Sequence, residues 1–256
     1  MADPAAMKGG FALAPLPDGE PRLEKIVVKS ALATMGTPEH LTKYEEIVPP
    51  SKLGARKLMM GDDPALPKMS AAPTLFEFFE KRFQPLNVDH LLQSATLALK
   101  SGIGEKGVLA CLLHDISVAG LLNGDHGYWG AQLIAPYVDE EVVFAVRYHQ
   151  ALRFFPDPEA GYDYPQAYID LFGADYKPEP YIKADYEFAR AHKWYGLARM
   201  VTLNDLYSFQ PDSQVKLEDF TDIVGRHFRQ PVEGLGFDNS PVAHMWRSMI
   251  WPRNFL

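Results

Sequence analysis

The stretch GVLACLLHDIS, residues 107–117, places a histidine and an aspartate directly after a fully apolar run. The spacing predicts a helix over 105–116 whose side chains are buried on most of its faces. His114 and Asp115 extend this buried segment, and burial of such a polar pair costs free energy unless both side chains find partners. The stretch therefore predicts a helical core with a polar site at one end.

Helical periodicity continues on both sides of this stretch. It predicts further helices near 74–83, 88–100, 127–137, 139–155, 183–208 and 217–228, a proline-rich loop over 156–180 and a tail at the end. Ser101-Gly102 is a helix stop signal, and Asp139 is a typical N-cap residue. No convincing alternating pattern indicates a strand, so the predicted fold class is all-α, a helical bundle.

The prolines divide the chain into two parts. Eleven of the 21 prolines fall in the first 85 residues, whereas Pro136 stands alone between 86 and 155. Because proline interrupts helices, we expect 1–75 to form an irregular N-terminal arm, with short helices near 20–35 and 39–47, and 76–256 to form the bundle. The arm is either a flexible lead-in or a segment that wraps the bundle or contacts a second copy in a homodimer.

Composition excludes several classes of function. Lys+Arg 25 against Asp+Glu 33 gives a net charge of −8 without a basic tract, so we expect neither a nucleic-acid nor a membrane partner. No apolar stretch is long enough for a transmembrane helix, and the first residues lack a secretory pattern. The single cysteine, Cys111, excludes a disulfide framework and a cysteine-rich metal site, and the chain is expected to be cytoplasmic.

Residue types that ligate metals recur at inward-facing helix positions. They are His90, His114, Asp115, His126, His149 and Asp205. One inward histidine is more often a hydrogen-bonded core residue, and one aspartate is more often a cap or an ion-pair partner. Six of them together are costly to bury unless a cation compensates. Imidazole and carboxylate suit iron, manganese or zinc, and six protein ligands suit two metals that share a bridging carboxylate.

This ordered set resembles the HD-domain superfamily of metal-dependent α-helical proteins, and the tandem His-Asp in LLHDIS is its hallmark. The resemblance covers about 75–210. The two further histidines before the final aspartate indicate the dinuclear branch of the superfamily. That branch contains phosphohydrolases, among them cyclic-dinucleotide phosphodiesterases. It also contains mixed-valent di-iron oxygenases of the myo-inositol oxygenase and organophosphonate-cleaving types.

Three features favour the oxygenases. The phosphodiesterases commonly read HDIGK, with a lysine that contacts phosphate, whereas this chain reads HDISVAG with Val118 at that position. In phosphonate oxygenases a basic residue one turn after the fourth ligand histidine grips the anionic group, and here that residue is Arg153. The long gap between His149 and Asp205 is also similar. Arg153 is equally well interpreted as a solvated charge at a helix end.

The resemblance implies two iron ions in the Fe(II)/Fe(III) state, with manganese or zinc as the alternative. It assigns the bridge to Asp115, the first iron to His90, His114 and Asp205, and the second to His126 and His149. His114 and Asp115 are the expected catalytic centre and Arg153 the substrate-binding residue, in an enzyme that uses O2 to hydroxylate or cleave a small polar, anionic substrate at a C–H bond. A dinuclear phosphohydrolase or phosphodiesterase is the alternative, and a non-catalytic metal-binding domain is a third interpretation.

Other residues enter these interpretations. His192 is a competing candidate for the place of His126. The stretch before His90 carries Glu80 and Phe83 without the tyrosine that phosphonate oxygenases have there. Five aromatic residues are interpreted either as the wall of the substrate pocket or as ordinary core residues: Tyr128, Trp129, Tyr148, Phe154 and Phe155.

Overall fold

Ten α-helices make up the part of the chain that the computed structural model describes, residues 66–120, 124–206, 208 and 214–251. Their bounds are α1 Leu75–Arg82, α2 Pro85–Ser101, α3 Glu105–Leu113, α4 His126–Ile134, α5 Glu140–Leu152, α6 Gln166–Phe172, α7 Pro180–Arg190, α8 Tyr195–Leu206, α9 Thr221–His227 and α10 Ala243–Ile250. Short 3-10 turns span Ile116–Gly120, Pro158–Ala160 and Leu217–Phe220. These residues contain no β-strand, and the prediction of an all-α helical bundle is confirmed.

The helix α3 lies at the centre of the bundle. Each of its residues from Gly107 to Leu113 is buried, and it packs against α2, α5, α8 and α9. Such a helix is stabilised by the apolar surface it removes from water on every side. The next residue, His114, is consequently carried into the interior, where it is 0% exposed.

Local signals set the ends of the neighbouring helices. Pro85 occupies the first turn of α2, and Gly102 ends this helix with φ +72° while its N–H donates to the Leu99 carbonyl. Asp139 precedes α5 as predicted, although its side chain makes no capping hydrogen bond. Its carboxylate instead pairs with Lys106 and Arg229, which ties the start of α5 to two other parts of the bundle.

The prediction of a loop over 156–180 was wrong, because this segment contains the helix α6. Proline density suggested a loop, but Pro158, Pro165 and Pro180 each stand at the start of a helical turn. A missing N–H costs little there, since the first N–H groups of a helix have no partner within it.

The predicted helix over 183–208 is two helices, α7 and α8. The chain turns between them because the His192 ring stacks on Phe144 of α5, with centroids 4.2 Å apart. The His192 Nδ1 atom accepts a hydrogen bond from the Trp194 N–H at 3.2 Å, which holds the turn. A tertiary contact thus interrupts a segment whose own pattern favours one continuous helix.

The predicted tail after residue 228 contains a further helix, α10, which packs into the core. The expected helix near 217–228 is found as a 3-10 turn followed by α9. After it, α10 buries Trp246 completely, and the indole N–H donates to the Leu133 carbonyl at 3.0 Å. The Trp246 ring also meets Phe78 of α1 edge-on at 5.0 Å.

The N-terminal arm lies largely outside the described residues. Residues 66–74 contain neither helix nor strand, and α1 begins at the predicted boundary near 75. The short helices expected near 20–35 and 39–47 fall outside the described residues, and the division into arm and bundle stays a prediction. Of the helices that can be described, none has the length and apolar character needed to cross a bilayer.

Candidate metal centre

The six predicted ligand residues converge on one place in the bundle. His90 comes from α2, His126 begins α4, and His149 lies in the last turn of α5. The other members are His114 and Asp115, directly after α3, and Asp205 at the end of α8. Five separate segments therefore contribute to one polar cluster inside an apolar core.

One group of donor atoms, here called the first half-site, contains His90 Nε2, His114 Nε2, Asp205 Oδ1 and Asp115 Oδ2. The two imidazole nitrogens lie 3.1 Å apart. Asp205 Oδ1 lies 3.2 Å from His90 Nε2 and 3.6 Å from His114 Nε2. Asp115 Oδ2 lies 3.8 Å and 3.7 Å from the same two nitrogens.

The second half-site contains His126 Nε2, His149 Nε2 and Asp115 Oδ1. The two nitrogens are again 3.1 Å apart, and Asp115 Oδ1 lies 3.2 Å from the first and 3.9 Å from the second. The two oxygens of one carboxylate thus belong to two different groups of donors. This is the arrangement expected of a carboxylate that bridges two ions.

These separations suit a metal. Donors held at about 2.1 Å from an ion lie about 3.0 Å apart when they subtend a right angle and about 3.4 Å apart in a tetrahedron. The observed donor separations of 3.1–3.9 Å are close to these values. The first half-site supplies four donors and the second supplies three, which leaves coordination positions for water or a substrate.

Hydrogen bonds to the outer nitrogens orient the rings. His114 Nδ1 lies 2.7 Å from the Cys111 carbonyl, and His149 Nδ1 lies 2.7 Å from the Val146 carbonyl. His90 Nδ1 lies 3.1 Å from the Ser208 carbonyl. A carbonyl oxygen only accepts, so each Nδ1 carries the proton and, in the neutral ring, each Nε2 presents a lone pair to the cluster.

The cluster consequently contains imidazole and carboxylate acceptor atoms that need a cation nearby. When both rings are neutral, two lone pairs face each other in the first half-site, and two carboxylates adjoin them. Asp115 Oδ1 is buried without a hydrogen-bond partner, although it faces the second half-site. A buried, unpartnered carboxylate oxygen is costly unless a positive charge compensates it, and a metal ion supplies that charge. The residues present therefore fit a dinuclear metal centre.

The electrostatics agree with this chemistry. Burial lowers the pKa of His114, but the negative charges of Asp115 and Asp205 outweigh burial and raise it to about 9. Burial raises the pKa of Asp205, but His114, His90 and Arg153 reverse the shift and hold it well below the ordinary value. Burial, together with His126 and His114, holds the pKa of His149 well below its ordinary value. Both carboxylates of the cluster are thus anionic, and the cluster attracts protons and metal ions for the same reason.

Glycine lets the second half-site form. An added Cβ on Gly127, next to His126, would stand 2.9 Å from the Val146 carbonyl oxygen and 3.0 Å from that of Arg147. The Val146 carbonyl is the acceptor that orients His149. Gly127 N–H donates to the Gln150 side chain at 3.1 Å. The close approach of α4 to α5 places the two histidines of the second half-site beside each other.

Arg153 lies beside the first half-site. Its Nη2 donates to Asp205 Oδ2 at 2.7 Å, and its side chain is only 18% exposed. A solvated charge at a helix end does not describe this residue, because it holds the oxygen of Asp205 that faces away from the first half-site. Its Nε is buried without a hydrogen-bond partner, so the guanidinium retains a donor.

The more accessible side of the centre carries Asp115 and Arg153. The Asp115 side chain is 22% exposed, whereas those of His114 and His149 are 0% exposed. The centre is therefore more enclosed on the side of the two histidines than on the side of Asp115 and Arg153.

Sequence reasoning missed several supporting residues. Arg199 of α8 is 1% exposed and donates to the Leu152 and Phe155 carbonyls, while Thr202 donates to the His149 carbonyl. These bonds join the helix that carries His149 to the helix that carries Asp205. An arginine in the middle of an inward helix face was the available signal, because such a charge must find buried partners.

The remaining candidates lie elsewhere. His192 stacks on Phe144 and is not among the cluster's donors, so the structure places His126 there instead. Tyr128 and Trp129 are each 38% exposed. Phe155 stacks on Tyr186 at 4.0 Å, and Phe154 contacts Phe172 at 5.8 Å.

Comparison with known proteins adds no assignment. No family model matches the chain, and no curated protein matches it significantly.

Proposed function

We propose that the chain is a dinuclear metal enzyme of the HD type that uses O2 to oxidise a small anionic substrate at a C–H bond. The observation that carries the proposal is the position of Asp115, whose two oxygens belong to two separate groups of donors. A structural ion-pair cluster would satisfy its members by pairing acids with bases. This cluster instead leaves Asp115 Oδ1 without a hydrogen bond and, in the neutral rings, aims two imidazole lone pairs at one another.

The chain's own residues have separable roles in this proposal. His90, His114 and Asp205 would hold one ion, His126 and His149 would hold the other, and Asp115 would contribute one oxygen to each. A mixed-valent iron pair supplies the reduction of O2 and the oxidation of the substrate when it is bound. The carbonyl partners of His114 and His149 fix their tautomers, and the buried position of both rings keeps the inner side of the centre free of water.

Arg153 supports an anionic substrate. Its guanidinium lies against Asp205 and keeps a buried Nε–H without a partner. A carboxylate or phosphonate group accepts charge-assisted hydrogen bonds from such a side chain. The resemblance to the phosphonate oxygenases supports the same role, because Arg153 follows His149 by one helical turn.

A dinuclear phosphohydrolase that uses manganese or zinc is the alternative, since the same donors serve metal-assisted hydrolysis. Val118, in place of the lysine common in HD phosphodiesterases, favours the oxygenase. One experiment decides between them. The protein is loaded with Fe(II) without oxygen, titrated with O2, and followed by electron paramagnetic resonance and metal analysis. We expect two irons per chain and the signal of a coupled Fe(II)/Fe(III) pair.

Variants make this experiment specific. Asp115→Asn keeps the shape of the side chain but removes the bridging charge, so we expect the coupled signal to disappear. His244→Ala is the matched control, because it removes an exposed imidazole outside the cluster and should keep both irons. If Asp115→Asn retains a wild-type coupled signal, the bridging assignment is wrong. If the wild-type protein shows no coupled pair but turns over p-nitrophenyl phosphate with manganese or zinc, the hydrolase replaces the oxygenase.

A further inference from the structure

The long connection between α5 and α7 passes the accessible side of the metal centre. It contains α6, and Tyr168 of that helix places its ring beside the Arg153 guanidinium, with Cζ 5.6 Å from the ring centroid. Burial raises the pKa of the Tyr168 phenol; the Arg153 charge lowers it, and the Asp205 and Asp115 charges raise it again. The ring therefore lies next to the guanidinium that pairs with Asp205.

The base of this connection is anchored. Asp157 and Tyr162 exchange two backbone hydrogen bonds of 2.7 and 2.9 Å, and the Tyr162 hydroxyl donates to the Arg153 carbonyl at 2.7 Å. The Asp157 carboxylate accepts from the Tyr195 hydroxyl and lies 3.7 Å from Arg199 Nε. A connection tied down at its first residues holds the following helix in a defined position.

Other rings support Tyr168 within the same segment. Its ring centroid lies 5.9 Å from that of Tyr164 and 6.1 Å from that of Phe172, and Phe172 in turn contacts Phe154. Aromatic pairs at such distances contribute beyond the area they bury. The Tyr168 ring is thus part of an aromatic group that packs beside Arg153.

We propose that Tyr168 determines the substrate specificity of this centre: its ring and the Arg153 guanidinium form two sides of an anion pocket, and the ring excludes anions that carry a bulky group. The inference rests on the proposed function in one respect, that Arg153 receives the anionic group. An anion bound to Arg153 lies next to a flat ring, so the size of its other substituent is limited by the distance between Arg153 and that ring.

The test compares two anions of different size on the metal-loaded full chain by isothermal titration calorimetry. The probes are inorganic phosphate and phenylphosphonate, which carries a ring and has no ester bond to hydrolyse. We expect the wild type to bind phosphate more tightly than phenylphosphonate. Tyr168→Ala should raise the affinity for phenylphosphonate relative to phosphate by about tenfold, because the ring volume becomes available. Tyr168→Leu should lie between them, and Tyr168→Phe should behave like the wild type.

Tyr128→Ala is the matched control, because Tyr128 also stacks on an arginine, Arg147, at 4.4 Å but is not part of the centre. It should leave the ratio of the two affinities unchanged. Metal content is measured on every variant. Wild-type discrimination in Tyr168→Ala, or loss of discrimination in Tyr168→Phe, overturns the proposal, and so does loss of metal from Tyr168→Ala. If the wild type keeps two metals but binds neither anion, the pocket is refuted while the dinuclear centre stands.

Discussion

Replacement of Gly127 by alanine tests whether the spacing of α4 and α5 builds the second half-site. The added Cβ would lie 2.9 Å from the Val146 carbonyl oxygen. Ordinary contact requires roughly 0.5 Å more, so α4 has to move or the Val146 carbonyl has to turn. Either change disturbs a histidine, because His126 begins α4 and His149 is oriented by that carbonyl.

The expected effect on metal binding is large compared with the effect on folding. Metal ligands tolerate displacements of only about 0.2 Å, and perturbed supporting groups typically cost about 10- to 100-fold in metal affinity. Overpacking costs about 1–3 kcal/mol, while alanine gains up to about 1 kcal/mol over glycine within a helix. We therefore expect a folded protein that retains the first metal and binds the second about 10- to 100-fold more weakly.

Gly130 provides the matched control on the same helix. Its added Cβ would meet Ile116 and Val146 side-chain carbons at 3.4 Å, which is ordinary contact. Gly130→Ala should keep both metals and a thermal midpoint equal to or above that of the wild type. Equilibrium dialysis against buffered metal, followed by elemental analysis and thermal melting, measures both quantities. Wild-type affinity for both metals in Gly127→Ala would refute the geometric reasoning.

Three further predictions concern charge and metal. Arg153→Ala leaves Asp205 Oδ2 without its ion pair, so we expect the first half-site to bind metal about tenfold more weakly in the same dialysis experiment. If metal binding and anion binding are both unchanged, Arg153 supports neither the metal site nor the anion site. The raised pKa of about 9 keeps a proton on His114 in the metal-free protein, and this proton competes with the metal. We therefore expect the apparent Mn(II) affinity to rise with pH between about 6.5 and 8. An affinity that does not change with pH would contradict the assignment of His114 as a metal ligand. Removal of metal by a chelator should lower the thermal midpoint by roughly 5–10 °C if the metal was present at about 100 times its Kd. His114→Ala should reduce that difference, because it removes a donor of the first half-site only, and an equal shift in both proteins would place the stabilising metal elsewhere.

The residues of the candidate centre could be selected from the sequence because two simple constraints act on them. The apolar run before His114 leaves that residue no route to solvent, and helical spacing puts His149 and Asp205 on inward faces. Polar groups that must be buried on several helices can only meet in the interior, and the structure brings all six together. The assignment of two iron ions to them stays a prediction.

The parts that escaped sequence reasoning depend on contacts between distant segments. The break between α7 and α8 follows from the stacking of His192 on Phe144, and α10 exists because Trp246 fills a space beside Phe78. The position of Tyr168 depends on how the connection after α5 is anchored by Arg199. No periodicity in a single sequence encodes which ring meets which helix, so these elements could not be placed in advance.

The origin of the donors in five segments has a consequence for how the centre can change. The position of His149 is determined by its own helix, but its distance to Asp205 depends on the interface between α5 and α8, here called the seam. That seam is held by Arg199 and Thr202, which donate to carbonyls of α5 or the turn after it, and by the pair of Arg153 with Asp205. A substitution in the seam therefore alters the separation of the two half-sites while every metal ligand remains in the sequence. Because the half-sites share Asp115, we expect such a change, in the proposed dinuclear centre, to alter the coupling between the two ions before it empties either half-site.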